Sequence, residues 1–287
     1  MTAASTKYAC GVEYLGSHYK GWQSQDNQET IQDQIEKALS SVANENLRIY
    51  SAGRTDSGVH ALGQVFHFSS NADRTDSQWL DGINSHLPSD IRIQWIKVVD
   101  EEFDARHSAV SRTYVYLINN NEFDVFSDQR VLYVREKLNT ELMKEACQYL
   151  IGKHDFSSFR ASSCQSNNPI REMKNIELEV GKFISITFTA NAFLHHMIRN
   201  IVGTLLDIGT EKISPKHINQ ILHAKDNDIG SKTLGYFTIH YNDHARTDID
   251  RAVFSKKLGS VNNNEIYDRF TYINPPQSQQ NAIRWET

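Results

Sequence analysis

The strongest constraint on this chain is a rhythm. The spacing of its apolar residues switches between alternation and helical periodicity in one order, and then repeats that order. Tyr8, Cys10, Val12 and Tyr14 alternate, as a half-buried strand requires. Ile31, Ile35, Ala38, Leu39 and Val42 then share one helical face, with Thr30 and Asp33 supplying an N-terminal capping pattern. Strands are expected at 47–52 and 64–69. A second helix runs through Trp79, Leu80, Ile83 and Leu87 and stops near Pro88, and Ile91, Ile93 and Trp95 alternate in a fourth strand. This βαββαβ order is the split ferredoxin-like unit, with helices on one face of an antiparallel sheet.

The second pass starts with a strand at 112–119, followed by a helix carrying Leu142, Met143, Ala146, Cys147 and Leu150 and ending at Gly152. Strands near 174–180 and 183–189 precede a helix with Leu194, Met197, Ile198, Ile201, Val202, Leu205 and Leu206 that closes at Gly209. A short helix from Pro215 to His223 leads to a last strand near 234–241. The expected organisation is an N-terminal lobe at 1–107, a C-terminal lobe at 108–246 and a polar extension at 247–287. A pair of RNA-recognition domains shares this order of elements, but their Lys/Arg-Gly-aromatic motif is missing.

Between the second and third strands of the first unit lies Ser51-Ala52-Gly53-Arg54-Thr55-Asp56-Ser57-Gly58-Val59-His60-Ala61-Leu62-Gly63. A simple hairpin needs about two to five residues and one or two glycines. A longer connection with a carboxylate two positions from a guanidinium is either a solvated ion pair or the beginning of a site. The residues alone leave both open.

Several further segments fall in order along the chain: YLGSHYKGWQ from Tyr14, NSHLPSDI from Asn84, FDARHSA from Phe103, Arg112-Thr113-Tyr114-Val115-Tyr116, His154-Asp155-Phe156, Ile170-Arg171, and ANAFLHHMIRNIVGTLLDIG from Ala190. Together with Ala52-Gly53-Arg54-Thr55-Asp56, they make residues 7–209 resemble the tRNA pseudouridine synthase A family. The resemblance implies an α+β fold: two ferredoxin-like lobes sharing a continuous, mixed, mainly antiparallel sheet with a central active-site cleft. It implies isomerisation of uridine in the anticodon stem-loop of tRNA, at about positions 38–40, on a flipped-out base. It also implies a homodimer. Asp56 would be the nucleophile, attacking C1′ or C6 or stabilising a cationic sugar. Arg54 would keep that carboxylate ionised or fill the gap left by the flipped base. Tyr114 would stack on the uracil and accept a proton, and Arg199 would reach towards Asp56 from the second lobe. The alternatives are an RNA-binding or RNA-folding module without catalysis, and the same chemistry on another RNA position.

Composition is compatible with this. Thirty Lys+Arg against 35 Asp+Glu give a net charge of −5, so RNA binding requires a local basic groove on an acidic body. Arg54, Arg106, Arg112, Arg160, Arg171 and Arg199 lie in the matching segments and are candidates for it. Cys10, Cys147 and Cys164 form no Cys-x-x-Cys pair, which fits a reducing, cytoplasmic setting. No run approaches the roughly 18 apolar residues of a membrane span. There is no P-loop or dinucleotide fingerprint, and no His-x-x-x-His with a third ligand stands out, so no cofactor and no metal are expected. His195, His196 and His60 are read as RNA-facing or packing residues, and Trp22 as structural. The family's proline-containing turn is absent from Asp226 to Phe237, which alters the expected C-terminal wall of the pocket.

Overall fold

A computed structural model describes residues 5–122, 130–164, 166–226 and 238–243. The expected extension at 247–287 and nearly all of the altered wall lie outside the described residues. The first unit comprises β1 (Thr6–Tyr14), α1 (Ile31–Ala43), β2 (Tyr50–Ser51), β3 (His60–Ser70), α2 (Asp76–His86) and β4 (Ile91–Val98). The second comprises β5 (Ser111–Asn119), β6 (Leu132–Tyr133), α3 (Thr140–Gln148), β7 (Gly152–Asp155), β8 (Ile170–Val180), β9 (Ile184–Ala190), α4 (Met197–Gly209), α5 (His217–Ala224) and β10 (Thr238–Asp243).

The helix starts follow from local chemistry. Thr30 Oγ1 accepts the Asp33 amide at 3.3 Å and donates to the Asp33 carboxylate at 2.5 Å. Thr75 and Gln78 form a reciprocal capping box on α2. The stripe Ile31, Ile35 and Leu39 then packs with Trp79 and Ile83 against Tyr8, Cys10, Val12, Phe66 and Phe68 of the sheet. An equivalent core in the second unit joins Met143, Ala146, Ile201, Val202 and Leu205 to Tyr116, Ile118, Ile186 and Phe188. Cys10 and Cys147 are buried in these cores, where burial pushes the Cys147 thiol up to about 12.

The strands form one sheet in the order β4-β1-β3-β10-β5-β9-β8-β7, with β2 also on β3 and β6 also on β5. With β6 and β7 set aside, each unit keeps the ferredoxin-like arrangement of fourth, first, third and second strand: β4-β1-β3-β2 and β10-β5-β9-β8. The units merge where β10 runs parallel to the start of β3, Ile239 opposite His60, and antiparallel to β5, His240 opposite Tyr114. One departure from expectation lies on the same edge of β3. The sequence predicts a strand over 47–52, but β2 is two residues long and pairs only with Phe66 and His67. The Leu47 and Ile49 amides donate instead to side chains of α1, Ser40 Oγ and Glu36 Oε1, both at 3.0 Å, so that stretch does not join the ladder.

Candidate active site

The loop from Ala52 to Val59 enters β3 at this seam and is fixed by its own lobe. The Tyr14 hydroxyl and Thr55 Oγ1 lie 2.8 Å apart, both buried. The Trp22 amide donates to the Thr55 carbonyl at 3.0 Å, and the Ser57 hydroxyl donates to the Tyr19 carbonyl at 3.2 Å. Gln64 Nε2 donates to the Gly53 carbonyl at 2.7 Å. Gly21 has φ 88°, and a Cβ there would stand 2.6 Å from the Thr55 carbonyl oxygen, so a side chain would push the loop off its support. Of the three loop glycines noted in the sequence, only Gly58 adopts a positive φ, at 80°. Trp22 is 1% exposed and packs near Phe66 and Tyr14, the structural role expected of it.

This support leaves the Asp56 side chain one-third exposed, at 33%, facing the second lobe. His195 Nε2 is 3.3 Å from Asp56 Oδ1, and His196 Nε2 is 3.6 Å from Oδ2. Neither histidine was assigned to the carboxylate from sequence. Their only signal was adjacency: two polar residues together at the start of an otherwise apolar helix. His196 adopts φ 61°, which turns the backbone so that both rings fall on one side, 3.9 Å apart. Burial, His195 and the positive charge of Arg199 lower the His196 pKa, against the pull of Asp56, favouring a neutral imidazole.

Tyr114 on β5 is partly buried and meets Phe193 edge-on at 4.9 Å. Burial, then the neighbouring Tyr14 and Asp56 groups, push its phenol upward, with Arg112 opposing, so it stays protonated near neutral pH. Tyr116, on the same strand face, is fully buried in the second core. Arg199 lies on α4, partly buried beside His196. Arg54 is exposed, and no Arg54–Asp56 ion pair forms among the described residues; the imidazoles stand beside the carboxylate instead. Asp56, Tyr114 and Arg199 thus converge on one seam, while Arg54 points into solvent.

Arg112 was grouped with the groove arginines, yet it staples the seam. Nη2 donates to the Ala52 carbonyl at 3.1 Å and the Arg106 carbonyl at 2.7 Å; Nη1 donates to the Asn191 carbonyl at 2.8 Å. One guanidinium therefore ties the loop, β5 and the segment before α4. His60 accepts the Gly16 amide at 3.2 Å and is buried, so it packs as expected.

Two ferredoxin-like units on one sheet, with a carboxylate presented at their junction to a tyrosine and an arginine, define an RNA-modifying class on which the comparisons converge. The family model described as tRNA pseudouridine synthase matches residues 11–108 and 146–235. A tRNA pseudouridine synthase A of Shewanella sediminis is 47% identical over 229 residues, 79% of this chain and 88% of that protein. Those of Histophilus somni and Buchnera aphidicola are 47% and 46% identical, and this chain covers 85% and 87% of them. The likeness to a chain in the crystal structure of a Cbf5-Nop10-Gar1 complex is slight, with TM-score 0.35 and 10% identity over 59% of that chain. This chain belongs to the tRNA pseudouridine synthase family. It is an isomerase that converts uridine to pseudouridine.

Proposed function

We propose that this enzyme isomerises uridine in the anticodon stem-loop of tRNA, at about positions 38–40, with Asp56 as the carboxylate that acts on the flipped-out nucleotide. The observation that carries this reading is the convergence of Asp56 from one lobe with Tyr114, His195, His196 and Arg199 from the other. The reaction breaks N1–C1′, turns the base and forms C5–C1′; the C5 proton leaves and a proton is taken at N1. Asp56 supplies the negative charge or the nucleophilic oxygen at the sugar or at C6. Tyr114 stacks on the base and takes the C5 proton on its oxygen. Because burial keeps that phenol protonated, it acts as a relay, passing its own proton towards N1, where one is taken up, as it accepts the one from C5. Arg199 adds positive charge beside His196 at the seam, and exposed Arg54 is free to enter the stack vacated by the base. In this reading the protein works as a homodimer in the cytoplasm, as the family resemblance implies, with lobes at 1–107 and 108–246. The altered wall near 226–237 bears on the uridines accepted.

The test is incubation with tRNA transcripts carrying labelled uridine, with product mapped at nucleotide resolution. Pseudouridine confined to the anticodon stem-loop is the expected result. Product elsewhere would reassign the substrate site. Binding of every tRNA without product on any would favour an RNA-binding module.

A further inference from the structure

The residues that crowd Asp56 also form a metal-ligand set. The His195 and His196 Nε2 atoms and the Asp56 carboxylate oxygens include three ligand atoms, one per residue, all within 4.8 Å of one another. Two ligands about 2.1 Å from a tetrahedral ion stand about 3.4 Å apart. Each imidazole is already at about that separation from one carboxylate oxygen, His195 at 3.3 Å from Oδ1 and His196 at 3.6 Å from Oδ2, and the three ligand atoms need close only from within 4.8 Å to share an ion. Two neighbouring residues rarely aim their rings at one point. Here the left-handed backbone of His196, a conformation that residues with a side chain seldom adopt, makes them do so. The other ring nitrogen of His195, Nδ1, lies 3.4 Å from the Ser163 hydroxyl, the kind of outer partner that orients a ligating imidazole. The side chains are 33–40% exposed, which leaves an approach from solvent and an open coordination position.

We propose that Asp56, His195 and His196 bind a divalent transition metal of the zinc class, and that this occupancy switches the enzyme off. The donor set decides the class of ion. Two imidazoles and one carboxylate suit zinc and its neighbours, whereas magnesium and calcium prefer oxygen ligands and keep their water. The magnesium that accompanies tRNA therefore does not compete. Arg199 places positive charge close to His196 and weakens the site, so it suits reversible occupancy. The switch rests on the reading of Asp56 as the catalytic carboxylate: a carboxylate held by a metal is withdrawn from the substrate.

Calorimetric titration of the full, chelator-stripped chain with zinc chloride tests the site without reference to activity. One zinc per chain is expected. His195→Ala and His196→Asn should each lower its affinity by more than the roughly 10–100-fold that loss of an outer partner costs. Asparagine tolerates the left-handed backbone at 196, and thermal melts of both variants confirm folding. His86→Ala, on the exposed end of α2, should leave zinc binding unchanged. Zinc should also inhibit turnover, with recovery on adding chelator and no such effect from magnesium. Absence of zinc binding, or binding that survives both substitutions, overturns the site. Zinc held through the pair with turnover intact overturns the switch. Asp56→Ala assayed free of metal then reads the catalytic assignment separately.

Discussion

The loop that carries Asp56 and the start of α4 that carries His195, His196 and Arg199 meet at one point, but different forces hold them there. The loop is fixed by directional contacts inside its own lobe: the Tyr14–Thr55 hydroxyl pair, the Trp22 amide on the Thr55 carbonyl, and the glycine at 21 against which the loop backbone rests. The start of α4 is fixed chiefly by apolar burial, with Leu194, Met197, Ile198 and Ile201 in the second core and a bond from the Ala161 amide to the His195 carbonyl at 2.9 Å. Hydrogen bonds are directional and fix the loop group by group, whereas apolar packing fixes the helix as a body, and the left-handed backbone at His196 aims the imidazoles beside it. One lobe therefore places the Asp56 carboxylate, and the other places the imidazoles that face it.

The sharpest way to break that division is Asp56→Ala. Turnover should fall by at least about 10⁴-fold, while tRNA affinity, which comes from many phosphate contacts, stays nearly unchanged. Single-turnover assays and filter binding on the same preparations check both halves, and residual activity within tenfold of wild type would remove Asp56 from the chemistry.

Tyr114→Phe, on the second lobe's side of the comparison, should slow turnover by roughly 10²–10⁴-fold with base binding retained, because only the proton-carrying oxygen is lost. Tyr116→Phe should leave the rate close to wild type, since that ring is buried in the core. The reverse pattern would mean that the neighbouring tyrosine carries the proton.

Arg112→Ala tests whether the two halves need a common tie. Its guanidinium bonds to carbonyls of Ala52, Arg106 and Asn191, and removing a charged donor of this kind costs about 1.5–3 kcal/mol. Denaturant melts should show that loss, and kcat should fall more than KM rises, because the seam loosens while the RNA-facing surface remains. A stability loss with kcat intact would show that each lobe holds its part of the site unaided.

The smallest expected effect separates arginines that face RNA from arginines that serve the fold. Each neutralised phosphate contributes about −0.7 to −0.9 to the slope of log affinity against log salt, and a slope of about −3 or steeper is expected. Arg106, exposed, should flatten it by about one unit when changed to alanine. Arg171 should change it less, because its guanidinium already donates to the Asn168 and Ile170 carbonyls and to the Ser166 hydroxyl. Equal effects would place both side chains on the phosphates.

What the sequence determined by itself is local in origin. Alternation, helical stripes, the Thr30–Asp33 cap and the stop at Pro88 depend on neighbours within a few positions, so both βαββαβ passes were legible in the residues alone. The run from Gly53 to Val59 was legible as a site only through family resemblance, since an Arg-x-Asp pair has the same local chemistry on any exposed turn. Tertiary structure decided what depends on distant partners. The Leu47 and Ile49 amides find acceptors on Ser40 and Glu36 of α1, which leaves two residues of the expected 47–52 strand on β3. Of the two roles open to Arg54, pairing with Asp56 does not form among the described residues, and His195 and His196, some 140 positions further along, stand beside the carboxylate instead. A histidine pair at a helix start reads as packing or surface until another lobe brings a carboxylate to it. Periodicity reports which face of an element is apolar, but it carries no information about what that face, or the polar residues beside it, will meet across a seam.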